Sequence, residues 1–254
     1  MQAIPRYNVL GTGISALNLA TARAAVLAAL AARQQGYVCT ADLRVVNLAA
    51  EDAAFRAQLN ASLLTTPDGM PLVWLGRRSG HRAVGRVYGP DLMRAVCAAT
   101  VATGYTHYFY GGAPGVAAEL RRRLETRFPG LRVVGVRSPP FRTLTAGEEA
   151  DLCADVAAVK PDLFWVALGV PAREQFMAGH LGRLDTTLML GVGAAFDLLA
   201  GRVRQAPRWI QRSGGEWLFR LCLEPRRLAP RYLRHLPLFA LRAAAQFTGL
   251  RQYP

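Results

Sequence analysis

Short runs of apolar and β-branched residues alternate along most of the chain with longer stretches whose apolar positions recur every three or four residues. The unbroken runs predict strands buried on both faces, and the three-to-four spacing predicts helices with one buried face. The predicted strands are residues 37–40, 63–65, 107–110, 132–136, 163–168 and 187–192. Helical patterns cover 53–60, 91–103, 116–128, 146–159, 172–181 and 194–200, and an Ala/Leu-rich stretch, 16–32, adds a helix near the start. This alternation implies an α/β fold, a parallel sheet with helices on both faces. Ligands of such sheets bind beyond the carboxyl ends of the strands. Those ends carry Thr40, Thr66 to Gly69, Gly111 to Gly115, Gly169 to Glu174 and Gly191 to Asp197.

The pattern changes near Gly201. From residue 202 onward eleven arginines face only two acids, Glu216 and Glu224, and prolines stand at 207, 225, 230, 237 and 254. We therefore divide the chain into a core, 1–201, and a basic appendage of short helices, 202–254. Within the appendage Leu233, Leu236, Phe239, Ala240, Ala243, Phe247 and Leu250 fall three or four apart, on one helical face that Pro237 is expected to kink or divide. Arg231, Arg234 and Arg242 flank that face, as in a helix lying in a membrane interface. The other reading packs the face on the protein's own core or on a second copy of the chain.

Of the 254 residues 52% are apolar, enough for a substantial core, and the formal charge is +14. Such an excess favours an anionic partner: nucleic acid, a phospholipid surface or a phosphorylated substrate. Only Lys160 is a lysine; the remaining cations are arginines, which suit bidentate capture of phosphate. No nucleic-acid-binding module is recognisable and the basic density peaks in the amphipathic tail, so nucleic acid is not the expected partner. Cys39, Cys97, Cys153 and Cys222 form no CxxC pair and read as buried free thiols in a reducing compartment. The start lacks a signal-peptide layout and no run is long enough to span a bilayer, so the expected location is cytoplasmic. His81, His107, His180 and His235 are scattered and read as structural.

Three turns carry candidate chemistry. Gly11-Thr-Gly13-Ile-Ser-Ala16 matches a dinucleotide fingerprint, but the next strand ends in Thr40 rather than an acid. A plain strand–turn–helix is the favoured reading over a nicotinamide-dependent oxidoreductase. Thr66-Pro67-Asp68-Gly69 puts one carboxylate at a strand mouth, with Gly69 allowing close backbone approach; an ordinary turn has the same composition. Gly111-Gly112-Ala113-Pro114-Gly115 leads a strand into a helix whose N-terminus suits a phosphate, or is simply a tight turn. No HExxH, GxSxG, Walker A or Asp-x-Asp pair is present, and neither a metal nor a cofactor is expected.

In their order and spacing these pieces resemble the WecG/TagA/CpsF family of glycosyltransferases. The resemblance runs from about Val9 to Tyr232 and rests on Thr40, Thr66-Pro67-Asp68-Gly69, Arg86-Val-Tyr-Gly89-Pro-Asp91, Gly111-Gly112-Ala-Pro114-Gly115, Leu168-Gly169-Val-Pro171, Gly191-Val-Gly193-Ala-Ala-Phe196-Asp197 and Glu216-Trp217-Leu218. It implies a Rossmann-like core with a membrane-meeting C-terminal appendage. It also implies metal-independent, inverting transfer from a UDP-sugar to an undecaprenyl-diphosphate-linked saccharide, in exopolysaccharide, teichoic acid or common-antigen synthesis at the inner face of the membrane. By the same resemblance Asp68 is the base, Thr40 and Arg86 line the donor pocket and Asp197 lies near the uridine. Gly111 and Gly112 join the donor set, and Arg220 and Arg227 reach the lipid diphosphate, with Arg231 beside them. Asp42 stands where the family has Asn, Arg173 within its Pro-Lys-Gln-Glu, and Gln205 for Arg; the first two are assigned to the donor pocket, and all three put the donor sugar in question.

Overall fold

The computed structural model describes residues 4–253, apart from the side chains of Arg208, Arg212 and Arg227. A hairpin, β1 (Arg6–Val9) and β2 (Thr12–Ser15), precedes α1 (Leu19–Ala31). Then follow β3 (Gly36–Ala41), α2 (Leu43–Glu51), α3 (Ala53–Ala61), β4 (Leu64–Pro67), α4 (Met70–Arg78), α5 (Gly89–Thr100) and β5 (Thr106–Gly111). The core continues through α6 (Val116–Arg127), β6 (Arg132–Arg137), α7 (Ala146–Val159), β7 (Leu163–Ala167), α8 (Ala172–His180), β8 (Leu188–Gly191) and α9 (Ala195–Leu199). Last come α10 (Arg208–Ser213), α11 (Glu216–Leu223) and α12 (Pro225–Phe247).

The strands β3 to β8 form one sheet in the order β4-β3-β8-β7-β5-β6, and every pairing in it is parallel. The unbroken apolar runs are explained by burial on both faces, with alternate residues pointing opposite ways. Val38, Phe109, Trp165 and Leu190 enter one apolar cluster, with residues of α1, α5, α6 and α9. Their neighbours Tyr37, Tyr108, Phe164 and Met189 enter a second, with residues of α2, α3, α4, α7 and α8. The expected three-layer α/β architecture is therefore present, each predicted strand and core helix lying within a few residues of its place.

Three expectations change. Leu10 and Gly11 have φ of 53° and 84°, and Val9 pairs with Thr12, so the Gly11–Ala16 segment makes a two-residue hairpin turn and then β2. The Gly11 and Gly13 amides donate to Asn8 Oδ1 and Asn60 Oδ1, each at 2.8 Å, and are unavailable to a phosphate. This removes both the dinucleotide reading and the strand–turn–helix reading. Secondly, α12 runs unbroken through Pro230 and Pro237. Both prolines are exposed, where water meets the carbonyls they leave without a donor. Its inward stripe is Leu228, His235, Phe239 and Ala243, packed towards α2 and the second cluster, while Leu233 and Leu241 are more than 70% exposed. The predicted apolar face is thus split between the protein's own core and solvent. Thirdly, the four cysteines are free, but Cys222 is exposed and Cys153 only half-buried.

Candidate functional site

At the carboxyl ends of β3 and β4 a cleft of about 250 Å³ opens between the sheet and the C-terminal helices. Asp68 sits on its floor directly after β4. Its backbone N–H donates to the Ala41 carbonyl at 2.8 Å, so the end of β3 fixes where the carboxylate emerges. Arg86, in the segment leading to α5, wraps around it. Its Nε donates to the Asp68 carbonyl at 2.6 Å and its Nη2 lies 3.4 Å from Asp68 Oδ1. The Arg86 guanidinium stacks 4.2 Å above the buried Tyr88 ring, a favourable cation–π geometry.

Electrostatics tune the carboxylate upwards. Burial pushes the Asp68 carboxyl up to about 6; Arg86 opposes that rise, and Asp42 and Glu216 add to it. A carboxylate held near neutrality at a strand mouth is suited to taking a proton.

The other predicted residues sort by position. Asp42 caps α2, its Oδ1 accepting from the Arg44 and Val45 amides at 2.9 and 3.0 Å, while its Oδ2 meets Arg231 Nη2 at 3.2 Å across the cleft. Arg220 also lines the cleft, and its buried Nε has no hydrogen-bond partner. The side chain of Arg227 lies outside the described residues. Thr40 is buried just behind, donating from Oγ1 to the Gly191 carbonyl at 2.9 Å. Arg173 is buried as well: Nη2 donates to the Thr40 carbonyl at 2.7 Å and Nε to Glu174 Oε1 at 2.8 Å. Its fork is thus occupied inside the protein, under the glycines of the β8 loop.

Gly111 and Gly112 lie further along the same sheet edge, where Gly112 walls a second cleft of about 530 Å³ with Tyr110, Phe141, Phe176 and His180. Gly111 has φ 125°, and a Cβ there would stand 2.5 Å from the Ala167 carbonyl oxygen. The β5–β7 pairing therefore requires glycine. Gly111→Ala should lose at least about 1–3 kcal/mol of stability, the usual scale for imposed backbone strain, read as a lowered midpoint in urea unfolding. Asp197 stands in the first turn of α9, beyond β8, and lines neither cleft.

Several cleft residues carried no role in the sequence. Trp74, Tyr88, Glu216, Trp217, Tyr232 and His235 all line it. In the sequence Tyr88, Glu216 and Trp217 stand only within the strings that carry the family resemblance, and His235 reads as structural. Their signal is spatial: α11 and α12 bring them across from the far end of the chain. Trp217 and Tyr232 meet edge-to-face at 5.8 Å. Aromatic faces among arginines and carboxylates suit a sugar phosphate, whose apolar ring faces stack while its charges pair.

Compared with known proteins, residues 7–253 match the sequence profile described as "Glycosyl transferase WecG/TagA/CpsF family". Among similar proteins, one from Bacillus spizizenii (strain W23) is 27% identical over 191 residues, covering 75% of this chain and 72% of that protein. Another, from Bacillus subtilis (strain 168), is 26% identical over 206 residues, covering 80% and 77%. Both carry the name N-acetylglucosaminyldiphosphoundecaprenol N-acetyl-beta-D-mannosaminyltransferase.

Proposed function

From the premise that the chain belongs to the WecG/TagA/CpsF family of glycosyltransferases, we propose that it moves a sugar from a UDP-sugar to an undecaprenyl-diphosphate-linked saccharide, with inversion and at an anionic membrane surface. The product would be a precursor of a cell-surface polysaccharide of the exopolysaccharide, teichoic acid or common-antigen type. The acceptor class follows the relatives' names, in which the undecaprenol diphosphate bears N-acetylglucosamine. The observation that carries the reading is Asp68, a carboxylate raised to about 6, set against Arg86 in an arginine- and aromatic-lined cleft.

In this reaction an acceptor hydroxyl attacks the anomeric carbon from the side opposite the UDP. The new C–O bond forms as the bond to the diphosphate breaks, and the hydroxyl proton passes to Asp68. Charge then builds on the departing diphosphate. Arg44, Arg86, Arg220 and Arg231 line the cleft, and Arg220 Nε lacks a partner, so donors stand ready to meet that charge. Among the described residues no group of three or more His, Cys, Asp or Glu side chains is arranged to hold a metal ion. The Gly112-walled cleft lies two to four strand positions from the Asp68 cleft, roughly 10–19 Å at the usual strand spacing. An extended nucleoside diphosphate sugar can bridge that span, with Thr40, Arg173 and Asp197 flanking its path along the strand ends.

Among the described residues no helix is long and apolar enough to cross a membrane. The C-terminal helices nonetheless expose Trp209, Trp217, Leu218, Leu223, Leu233 and Leu241, beside many of the eleven arginines of 202–254. Apolar and basic groups so mixed favour contact with an anionic leaflet. The test of the whole reading is a panel of UDP-sugars incubated with an undecaprenyl-diphosphate saccharide, with release of UDP as the measure. One donor should support transfer, and excess EDTA should leave the rate unchanged. No turnover with any donor would sink the proposal, and loss with EDTA reversed by magnesium or manganese would sink its arginine-based chemistry.

A further inference from the structure

The cleft contains a carboxylate that the reaction as written does not use. Glu216, the first residue of α11, is 6% exposed, and both of its oxygens are engaged at the base of the cleft. Oε2 accepts from Arg86 Nη1 at 2.6 Å, and Oε1 accepts from the Tyr88 hydroxyl at 2.5 Å. Arg86 is thereby gripped on three sides: by Glu216 at Nη1, by the Asp68 carbonyl at Nε and by the Tyr88 ring on its face. The one nitrogen left facing inward, Nη2, is the one 3.4 Å from Asp68 Oδ1.

A long arginine side chain free to rotate would hold no fixed relation to a carboxylate. Three anchors remove that freedom. Two of them, Asp68 and Tyr88, belong to the core, whereas Glu216 arrives from residues beyond 201. On the functional reading above, we infer that Glu216 is a positioning residue: it holds the Arg86 guanidinium in register with Asp68 and makes the finished base–arginine pair conditional on α11 being docked. The C-terminal helices then complete the chemical site from within, in addition to any contact they make with a membrane or acceptor.

A second consequence is electrostatic. Asp68 faces Arg86 before α5, Asp42 at the start of α2, Arg173 of α8 and Glu216 of α11; Arg44, Arg220, Arg231, Tyr88 and His235 complete the charged and titratable lining. Glu216 is one of the two carboxylates that favour the protonated form of Asp68, after burial. Its neutralisation takes away like charge, which eases ionisation of Asp68, whereas a loosened Arg86 would oppose it; in Glu216→Gln the charge is lost in full while the amide oxygen still accepts from Arg86, so the first effect is the larger.

The decisive experiment uses the full chain with Glu216→Gln, nearly isosteric, and follows the Asp68 carboxyl carbon by NMR as pH is varied, without substrate. Asp68→Asn identifies the signal. The Asp68 titration should move to lower pH by at least ~0.5 unit, as expected for loss of a neighbouring like charge. The acid limb of the transfer rate should move with it. Turnover at saturating donor should fall about 10- to 100-fold, the scale of a misplaced catalytic group, with a smaller change in KM. Glu216→Asp keeps the charge, so it should keep the titration near its original place while turnover remains reduced. A residue that merely braced α11 would lower the melting temperature and leave turnover of the folded Glu216→Gln and Glu216→Asp variants at the wild-type level; that outcome overturns the inference. Should Glu216→Gln not fold, Tyr88→Phe loosens the same carboxylate and should lower turnover in the same way, and unchanged turnover there overturns the inference equally. If the wild-type chain transfers no sugar, the functional reading fails, while the substrate-free titration still shows whether Glu216 acts on Asp68.

Discussion

Asp68→Asn should lower transfer about 100-fold or more, the scale of a lost general base, while donor binding, measured by calorimetry with UDP, persists. The asparagine keeps the shape and the backbone contacts that hold residue 68 against Ala41 and Arg86, but it cannot accept the acceptor's proton. The pH dependence follows with a definite sign. A base works deprotonated, and burial raises Asp68 to about 6 from an ordinary 3.8. Wild-type rates should therefore fall as pH drops through about 6, and whatever activity remains in Asp68→Asn should lack that limb. Stability runs the other way. A carboxyl raised on folding contributes stability that is complete below pH ~4 and is lost as pH rises through about 6. The asparagine variant should thus melt no lower than the wild type at pH 7. Near-normal turnover in it would remove Asp68 from the mechanism.

Removal of residues 202–254 should abolish transfer altogether. The reason lies in the cleft: Glu216, Trp217, Arg220, Arg231 and Tyr232 form the wall opposite Asp68. Without them Arg86 loses an anchor, the exposed Asp68 is no longer raised by burial, and water reaches the floor. All six strands of the sheet precede residue 192, so the shortened chain should keep the far-ultraviolet dichroism of a folded α/β protein, with its helical signal reduced by the loss of α10, α11 and α12. It should nonetheless be less stable, because Phe239 and Ala243 leave the second core cluster. Burial of the Phe239 side chain alone is worth about 2 kcal/mol, which corresponds to a fall of roughly 4–8 °C in Tm. Liposome sedimentation separates the two roles of this region. The full chain should pellet with anionic vesicles at low salt and release as salt screens the arginines, whereas the truncated chain should stay in solution. Normal transfer by the truncated chain would refute the assignment of these helices to the site.

The sheet was legible because its central strands are covered on both faces and so run apolar over successive residues. Tyr37 to Cys39 and Leu163 to Ala167 are apolar on successive residues for that reason. Asp68 was legible as a carboxylate at a strand end. The hairpin was not, since a glycine in the left-handed region serves a two-residue turn as well as a phosphate loop; only the pairing of Val9 with Thr12 separates the two. Nor did the prolines of α12 end it, because their exposed side is where a missing N–H costs least. Arg173, assigned to the donor pocket, turned out to be tied to Glu174 and Thr40 inside the protein. The partnership of Glu216 with Arg86 spans 130 positions and leaves no local periodicity or spacing to detect.

The strand order also governs when this protein can acquire its shape. β3 is made early, yet one of its two neighbours is β8, and the pairing of Gly36 with Leu188 joins positions some 150 residues apart. On a ribosome adding about 5–20 residues each second, the first half of the sheet waits roughly 8–30 seconds for its partner. Until then β3 and β4 have only each other, with β3's apolar edge unpaired, a surface on which aggregation can begin. Slower decoding of residues 42–187 would lengthen that exposed interval, and a chaperone that shields strand edges would be needed most during it.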